Sequence, residues 1–415
     1  MAKLTFNDLS FEEKGDKIRV NFLRIFYFHI DKQELNQIDK VILEKQTITF
    51  KNIEQKRAER KFYQLLEKGF KLLNSKNSKG LGNSENFQKQ LKNSLNQKPT
   101  VYIHKNSNIP LIGNIGFGLV DRGTNVIEVK PITSCNLKCI YCSVDEDKRP
   151  IDFVIEKDYL VEEFKKLVEF KNTNNIEAHI AAQGEPLLYE PLTELIKDIS
   201  KIKQVKTISI DTNGTLLTKN KVDELIKAGL TRFNFSINSL DDKSAKKIAG
   251  TEYNIEKIEK ICRYIENKTN LIITPVLIPT INEKEMEKIV ILAKKIKADI
   301  GIQNFMPYRL GRNPVKPITF DKFYKILEKL QNKHNIKLIK SVEDFNIVKT
   351  KELKKPFKKG EIIEAEIICN GRLKHEKIAV AKDRTISLPN CYKEKGKVKI
   401  KITRIKHNIF IGTPI

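Results

Sequence analysis

From about Asn125 onward, short apolar runs of β type alternate with amphipathic runs of helical type, and the alternation repeats six times. The β-type runs are Asn125 to Thr133, Ile176 to Ala182, Val205 to Asp211, Arg232 to Asn238, Leu271 to Ile278 and Ile300 to Pro307. Between and after them, helical spacing predicts helices near Asp158 to Phe170, Leu192 to Ile202, Lys219 to Ala228, Ile255 to Glu266, Glu283 to Ile296 and Phe320 to His334. Thr218 stands where an N-cap is wanted, and Gly229 where a left-handed residue closes the helix. This order predicts an α/β fold, a parallel sheet or partial (β/α)6 barrel, with functional residues at the C-terminal ends of its strands.

Two regions fall outside the repeat, giving three expected domains at 1–100, 101–350 and 351–415. Residues 1–100 read as an accessory α+β region: a β segment from Val20 to Ile30, a basic helical stretch from Ile53 to Leu73, and a polar linker or loop from Asn74 to Gln97. Residues 351–415 read as a small all-β, OB-like barrel, with short β runs from Gly360 to Gly412 punctuated by Gly371, Pro389 and Gly396. At 40% hydrophobic content the 415 residues are too apolar for a disordered chain. The first twenty residues are dense in charge and no 18-residue apolar stretch occurs, so a cytoplasmic protein without a membrane partner is expected.

Cys135, Cys139 and Cys142 crowd into the loop after the first strand of the repeat, in CxxxCxxC spacing. Three thiolates on one loop can hold three irons of a cubane cluster and leave the fourth iron open. Structural zinc is the alternative, but it wants four ligands, and the one histidine at hand, His179, sits inside the second strand.

With Tyr141 before its last cysteine, this loop resembles the signature of the radical S-adenosylmethionine superfamily. Gly184-Glu185-Pro186 after the second strand is similar to that family's GEP motif. The resemblance extends to Asp211-Thr212-Asn213-Gly214 and Ser236-Ile237-Asn238-Ser239 at the next two strand ends, and to Gln303, Asn304 and Met306 on the sixth strand. It implies a [4Fe-4S] cluster on the three cysteines. It further implies S-adenosylmethionine contacts from Tyr141, Gly184, Glu185, Pro186, Thr212, Asn213, Ser236, Asn238 and Gln303, and an electron donor such as ferredoxin or flavodoxin. The chemistry implied is reductive cleavage of S-adenosylmethionine to a 5'-deoxyadenosyl radical. In place of the arginine that many relatives carry after the fifth strand, this chain has Thr274-Pro275-Val276-Leu277-Ile278, so Ser236 and Asn238 are expected to carry more of the carboxylate binding.

Charge bears on the substrate. The formal charge is +25, and residues 351–415 hold 17 Lys and Arg against 7 Asp and Glu, a net of +10. Biased composition or heat tolerance would also make a lysine-rich surface. The C-terminal segment resembles a TRAM domain in Gly360-Glu-Ile-Ile-Glu-Ala-Glu-Ile, the turn at Asn370-Gly371, Ile386-Ser-Leu-Pro389 and the run from Gly396 to Lys406. That resemblance implies RNA, tRNA or rRNA, as the partner, and modification of it, methylation included. Lys397, Lys399 and Lys401 alternate on one strand face and suit a phosphate backbone. Lysines protecting an edge strand give the same pattern. Residues 1–134 contain no cysteine, unlike the accessory domain of methylthiotransferases, which carries a second cluster. Cys369 and Cys391 are candidates for direct chemistry, as two extra cysteines are in radical RNA methylases, whereas Cys262 falls on the apolar side of a helix. Modification of a protein, peptide or small cofactor precursor is the alternative.

Overall fold

The computed structural model describes residues 1–70 and 90–415. Its centre is a seven-stranded sheet in the order Asp299–Ile300, Asn270–Ile273, Arg232–Phe235, Val205–Thr212, Ile176–Ile180, Val126–Lys130, Gly118–Asp121. The first six run parallel, and Gly118–Asp121 pairs antiparallel on the outer edge. The six helices expected of the repeat are found at Lys157–Lys171, Leu192–Ser200, Lys219–Ala228, Ile255–Ile265, Glu283–Lys295 and Phe320–His334, close to the expected bounds. Thr218 does cap its helix, its hydroxyl accepting from the Lys221 N–H, and Gly229 is left-handed at φ 116°.

Three differences have physical reasons. The fifth and sixth runs are each broken: Val276–Leu277 and Gln303–Asn304 leave the main sheet and pair with each other, after Pro275, which has no N–H to give, and Gly301. A short helix, Asp242–Ala249, follows the fourth strand, capped by Asp241 on the Ser244 N–H; its eight residues are too few for helical spacing to stand out. The run Val20 to Ile30 is not one strand but parts of two, Lys17–Phe22 and Phe26–Asp31, reversed at Leu23 and Arg24, whose φ values are 45° and 59°. A reversal without glycine or asparagine leaves no turn signal.

In the accessory region, one sheet joins Ala2–Thr5, Thr47–Phe50 and Val41–Leu43. A second takes Leu9–Lys14, Lys17–Phe22, Phe26–Asp31 and Lys92–Asn93. The polar stretch read as a linker lies outside the described residues up to 89, but from Gln90 it is built into the fold, with Asn93 fully buried. No described helix is long and apolar enough to cross a membrane.

The C-terminal segment is a closed five-stranded barrel in the order Ile362–Asn370, Lys377–Ala381, Arg384–Leu388, Phe410–Pro414, Gly396–Arg404. It docks on residues 110–114: the Thr385 N–H donates to the Ile112 carbonyl (2.9 Å), the Phe410 N–H to the Gly113 carbonyl (2.9 Å) and Asn114 Nδ2 to Ser387 Oγ (3.1 Å). Gly113, at φ 131°, lies so close to the Thr385 backbone that a Cβ would collide with it. Cys369 and Ile378 join the core of the main body, so the barrel is part of one packed structure.

Candidate active site

The cysteine loop leaves the C-terminal end of Val126–Lys130 and is braced from both sides. The Lys138 and Ile140 N–H groups donate to the Ala249 and Ile248 carbonyls at the end of the short helix. Opposite, the Arg312 N–H donates to the Cys142 carbonyl (2.9 Å), and its guanidinium reaches the Cys139 carbonyl and Asp145 (3.3 Å each) and Asp147 (3.0 Å). From the accessory region, Asn93 Nδ2 donates to Ser134 Oγ (2.9 Å) and Asp152 (2.8 Å), immediately before Cys135.

All three cysteines are free and partly exposed. Burial pushes Cys139 up to about 12 and raises Cys135 and Cys142 as well. Such thiols ionise when metal cations take the place of their protons, which fits an iron site. Among the described residues, no three His, Cys, Asp or Glu side chains are placed to hold a single metal ion. Thiolates bound to separate irons of a cubane need not converge on one point. The zinc alternative also loses its fourth ligand: His179 Nδ1 is 2.8 Å from Ser209 Oγ and its Nε2 is 3.3 Å from Asp211.

The strand ends gather around this loop. A Cβ at Gly184 would collide with the Thr133 and Ser134 carbonyl oxygens, so the tight approach of the two loops requires glycine. Glu185 is buried, and its carboxylate accepts from the Leu187 N–H (3.1 Å), Thr212 Oγ1 (2.7 Å) and the Asn213 N–H (2.9 Å). Desolvation raises it to about 7 against these hydrogen bonds. Glu185 therefore organises the next strand end, and Pro186, also buried, opens the turn behind it. Asn213 Nδ2 donates to Asn136 in the cysteine loop (3.0 Å), a partner not foreseen from sequence. Asn238 Nδ2 donates to the Tyr141 hydroxyl (2.7 Å), while its Oδ1 accepts from the Val276 N–H (2.8 Å). A small cleft opens here, lined by Cys139, Tyr141, Asn213, Ser236, Asn238 and Tyr253 among others.

Other expected site residues lie elsewhere. Gln303 is exposed and does not line this cleft. Cys369 and Cys391 are buried in two different cores, with Cys369 raised to about 12 by desolvation, so they pack as small apolar residues and are not placed for direct chemistry. Cys262 is likewise fully buried. Lys397, Lys399 and Lys401 do share the exposed face of their strand, but Glu366 and Glu364 stand opposite the first two, and Lys397 pairs with Glu364 at 2.8 Å. Two of the three lysines thus have acidic residues across the strand pair, while Lys401 stands opposite Ile362 and Thr413.

Ala substitution of Glu185, Ser236 or Asn238 is expected to weaken S-adenosylmethionine binding at full iron–sulfur absorbance. Asn238→Ala strands the Tyr141 hydroxyl and the Val276 N–H, a cost of about 1–3 kcal/mol each where they stay buried. Unaltered affinity in all three variants, measured by equilibrium dialysis, would remove these residues from the cofactor site.

A family model described as the Radical SAM superfamily matches residues 129–293. The chain is 41% identical over 364 residues to an uncharacterized protein of Methanocaldococcus jannaschii, covering 79% of this chain and 84% of that one. It is 30% identical over 220 residues to the GTP 3',8-cyclase of Thermodesulfovibrio yellowstonii, covering 51% of this chain and 65% of the cyclase. Against the GTP 3',8-cyclase of Campylobacter jejuni subsp. doylei the identity is 30% over 224 residues, 54% of this chain and 68% of the cyclase. The chain thus spans about two thirds of the cyclases' length. Among solved structures, Streptococcus suis SuiB bound to its precursor peptide SuiA superposes with a TM-score of 0.42 at 14% identity, covering 81% of this chain and 71% of that one.

Proposed function

The chain belongs to the radical S-adenosylmethionine superfamily, whose cofactors are a [4Fe-4S] cluster and S-adenosylmethionine, and from that premise we propose that it generates a 5'-deoxyadenosyl radical to modify a nucleotide, in RNA or free. The observation that carries the reading is the placement of Cys135, Cys139 and Cys142 at the C-terminal mouth of the parallel strands, beside the cleft lined by Asn213, Ser236 and Asn238. When bound, the cluster supplies the electron that splits S-adenosylmethionine. The protein's own part is to hold the cysteine loop rigid through Asn93, Arg312 and the short helix, and to present polar strand-end groups to the cofactor.

RNA, tRNA or rRNA, is supported by the +25 charge and the five-stranded barrel. The free nucleotide is supported by the likeness to GTP 3',8-cyclases and by the acidic partners of the lysine row. A ferredoxin or flavodoxin would supply the electron. Nucleoside mass spectrometry of tRNA and rRNA from cells with and without the gene tests the first; a nucleoside missing from the deletion strain supports it, and identical profiles overturn it in favour of the free nucleotide. If the lysine strand touches RNA, the triple Lys397→Ala, Lys399→Ala, Lys401→Ala variant should bind with a shallower dependence of log affinity on log salt, by about 0.7–0.9 for each phosphate that a lysine no longer neutralises. An unchanged slope in filter-binding titrations would take that strand off the RNA.

A further inference from the structure

The face of the parallel sheet turned away from the helices is polar, where a barrel interior is ordinarily filled by branched apolar residues. Strand register sets His179 level with Ser209, Ser209 level with Arg232, and Asp211 level with Asn234. Glu177 lies two positions before His179, so these six side chains share one face. The alternate positions, Ile180, Ile210 and Phe233 among them, are fully buried on the other face.

The six are joined so that each orientation is fixed by the next. Glu177 accepts from Ser209 Oγ (2.7 Å) and from the Arg232 guanidinium. Because the Ser209 proton is used there, its oxygen must receive from His179 Nδ1 (2.8 Å). His179 Nε2 faces Asp211 Oδ2 at 3.3 Å, so both ring nitrogens are engaged, one by the hydroxyl and one by the carboxylate. Burial, the largest influence, favours the neutral ring, but Asp211, Glu177 and Glu128 together hold its pKa above the ordinary range. Asn234 Nδ2 donates to the other Asp211 oxygen (2.8 Å), while its own oxygen accepts from Arg232 Nε (3.1 Å).

Although deeply enclosed, the Asp211 side chain keeps 47% of its surface, and His179 21%, open to water. Asp211 therefore keeps acceptor capacity on the open side of the sheet, with His179 beside it. Asp211 is two residues before Asn213, which lines the cofactor cleft, so its strand leads toward that cleft.

We propose that this face is the substrate chamber and that Asp211 is its specificity-determining residue, accepting from a ribose hydroxyl of the nucleotide, with His179 positioning the carboxylate. A ribose hydroxyl can donate to the carboxylate's remaining lone pairs, which an analogue lacking the hydroxyl cannot do. The assignment rests on the nucleotide reading above and names how that nucleotide is held.

The test uses the reconstituted full-length chain, titrated calorimetrically with each of the four ribonucleosides and their 2',3'-dideoxy counterparts. An RNA oligonucleotide with and without 2'-O-methylation carries the same comparison for a nucleotide within RNA. At least one arm should show a preference of about tenfold or more for the free hydroxyl, since a site built to pair a hydroxyl rejects the analogue lacking it. Asp211→Asn and His179→Gln should each shrink that preference to about twofold or less, with iron–sulfur absorbance and thermal midpoint reporting that both variants are folded. No preference in either arm, or a preference retained by both folded variants, overturns the chamber. If the native chain binds no cluster and releases no 5'-deoxyadenosine, the radical reading fails instead, separately from the nucleoside titrations.

Discussion

Ala substitution of Cys135, Cys139 or Cys142 abolishes release of 5'-deoxyadenosine from S-adenosylmethionine under dithionite. With one donor gone, the loop retains two thiolates for three irons, and the described neighbours offer no replacement: His179 is committed to Ser209 and Asp211, and Cys262 is fully buried in a helix. The bracing around the loop, from Asn93, Arg312 and the Ile248 and Ala249 carbonyls, is independent of the thiols, so each variant should stay folded. Cys262→Ala, Cys369→Ala and Cys391→Ala are the internal controls. Their side chains pack in cores, and the variants should lose some stability but keep both cluster and cleavage. Anaerobic reconstitution followed by product chromatography makes the comparison. Cleavage by the triple variant lacking Cys135, Cys139 and Cys142 would overturn the assignment.

The central sheet was legible because its two periods contrast: strand runs of seven to nine residues against helices whose apolar positions recur every three or four. The Lys219–Ala228 helix agrees with its expected bounds because both ends carry chemistry, the Thr218 cap and left-handed Gly229. The cysteine loop was legible because its ligands are close in sequence. The long-range pairings were not. Asn93 sits in a stretch whose composition reads as linker, yet its amide ends against Ser134, 41 residues on. The lysine row gives its own face correctly but cannot show that Glu364 and Glu366 are its neighbours, since register is set by the fold. Glu177, His179, Asp211 and Asn234 alternate plainly along their strands, but parallel strands buried on both faces are expected to be apolar throughout, so the alternation carried no message until the register aligned it.

The C-terminal barrel likewise read as a separable unit, and its attachment gives a second large effect. Lys171, in the last turn of its helix, and Asp121, on the edge strand, are both fully buried and paired at 2.7 Å. Lys171 Nζ also donates to Thr350 Oγ1 (3.0 Å) and the Lys351 carbonyl (3.3 Å), while Asp121 accepts from the Gly123 and Leu353 N–H groups. Leu353 in turn is tied to the barrel, its carbonyl accepting from Asn408 Nδ2 (3.0 Å). One buried ion pair thus joins helix, sheet edge and the entry to the C-terminal domain. Lys171→Met leaves the Asp121 carboxylate buried without its cation and should cost about 3–5 kcal/mol. Lys171→Met with Asp121→Asn removes both charges and keeps an amide oxygen for one of the two N–H donors, so it should recover part of that loss. For the same reason a chain ended after Thr350 should be far less stable than the full chain, because it strips the main core of Leu353, Cys369 and Ile378. Chemical denaturation of the three variants beside the native chain gives the order: native, then the double variant, then Lys171→Met and the truncation. A Lys171→Met midpoint within error of the native one would mean that the pair contributes nothing net to holding the barrel in place.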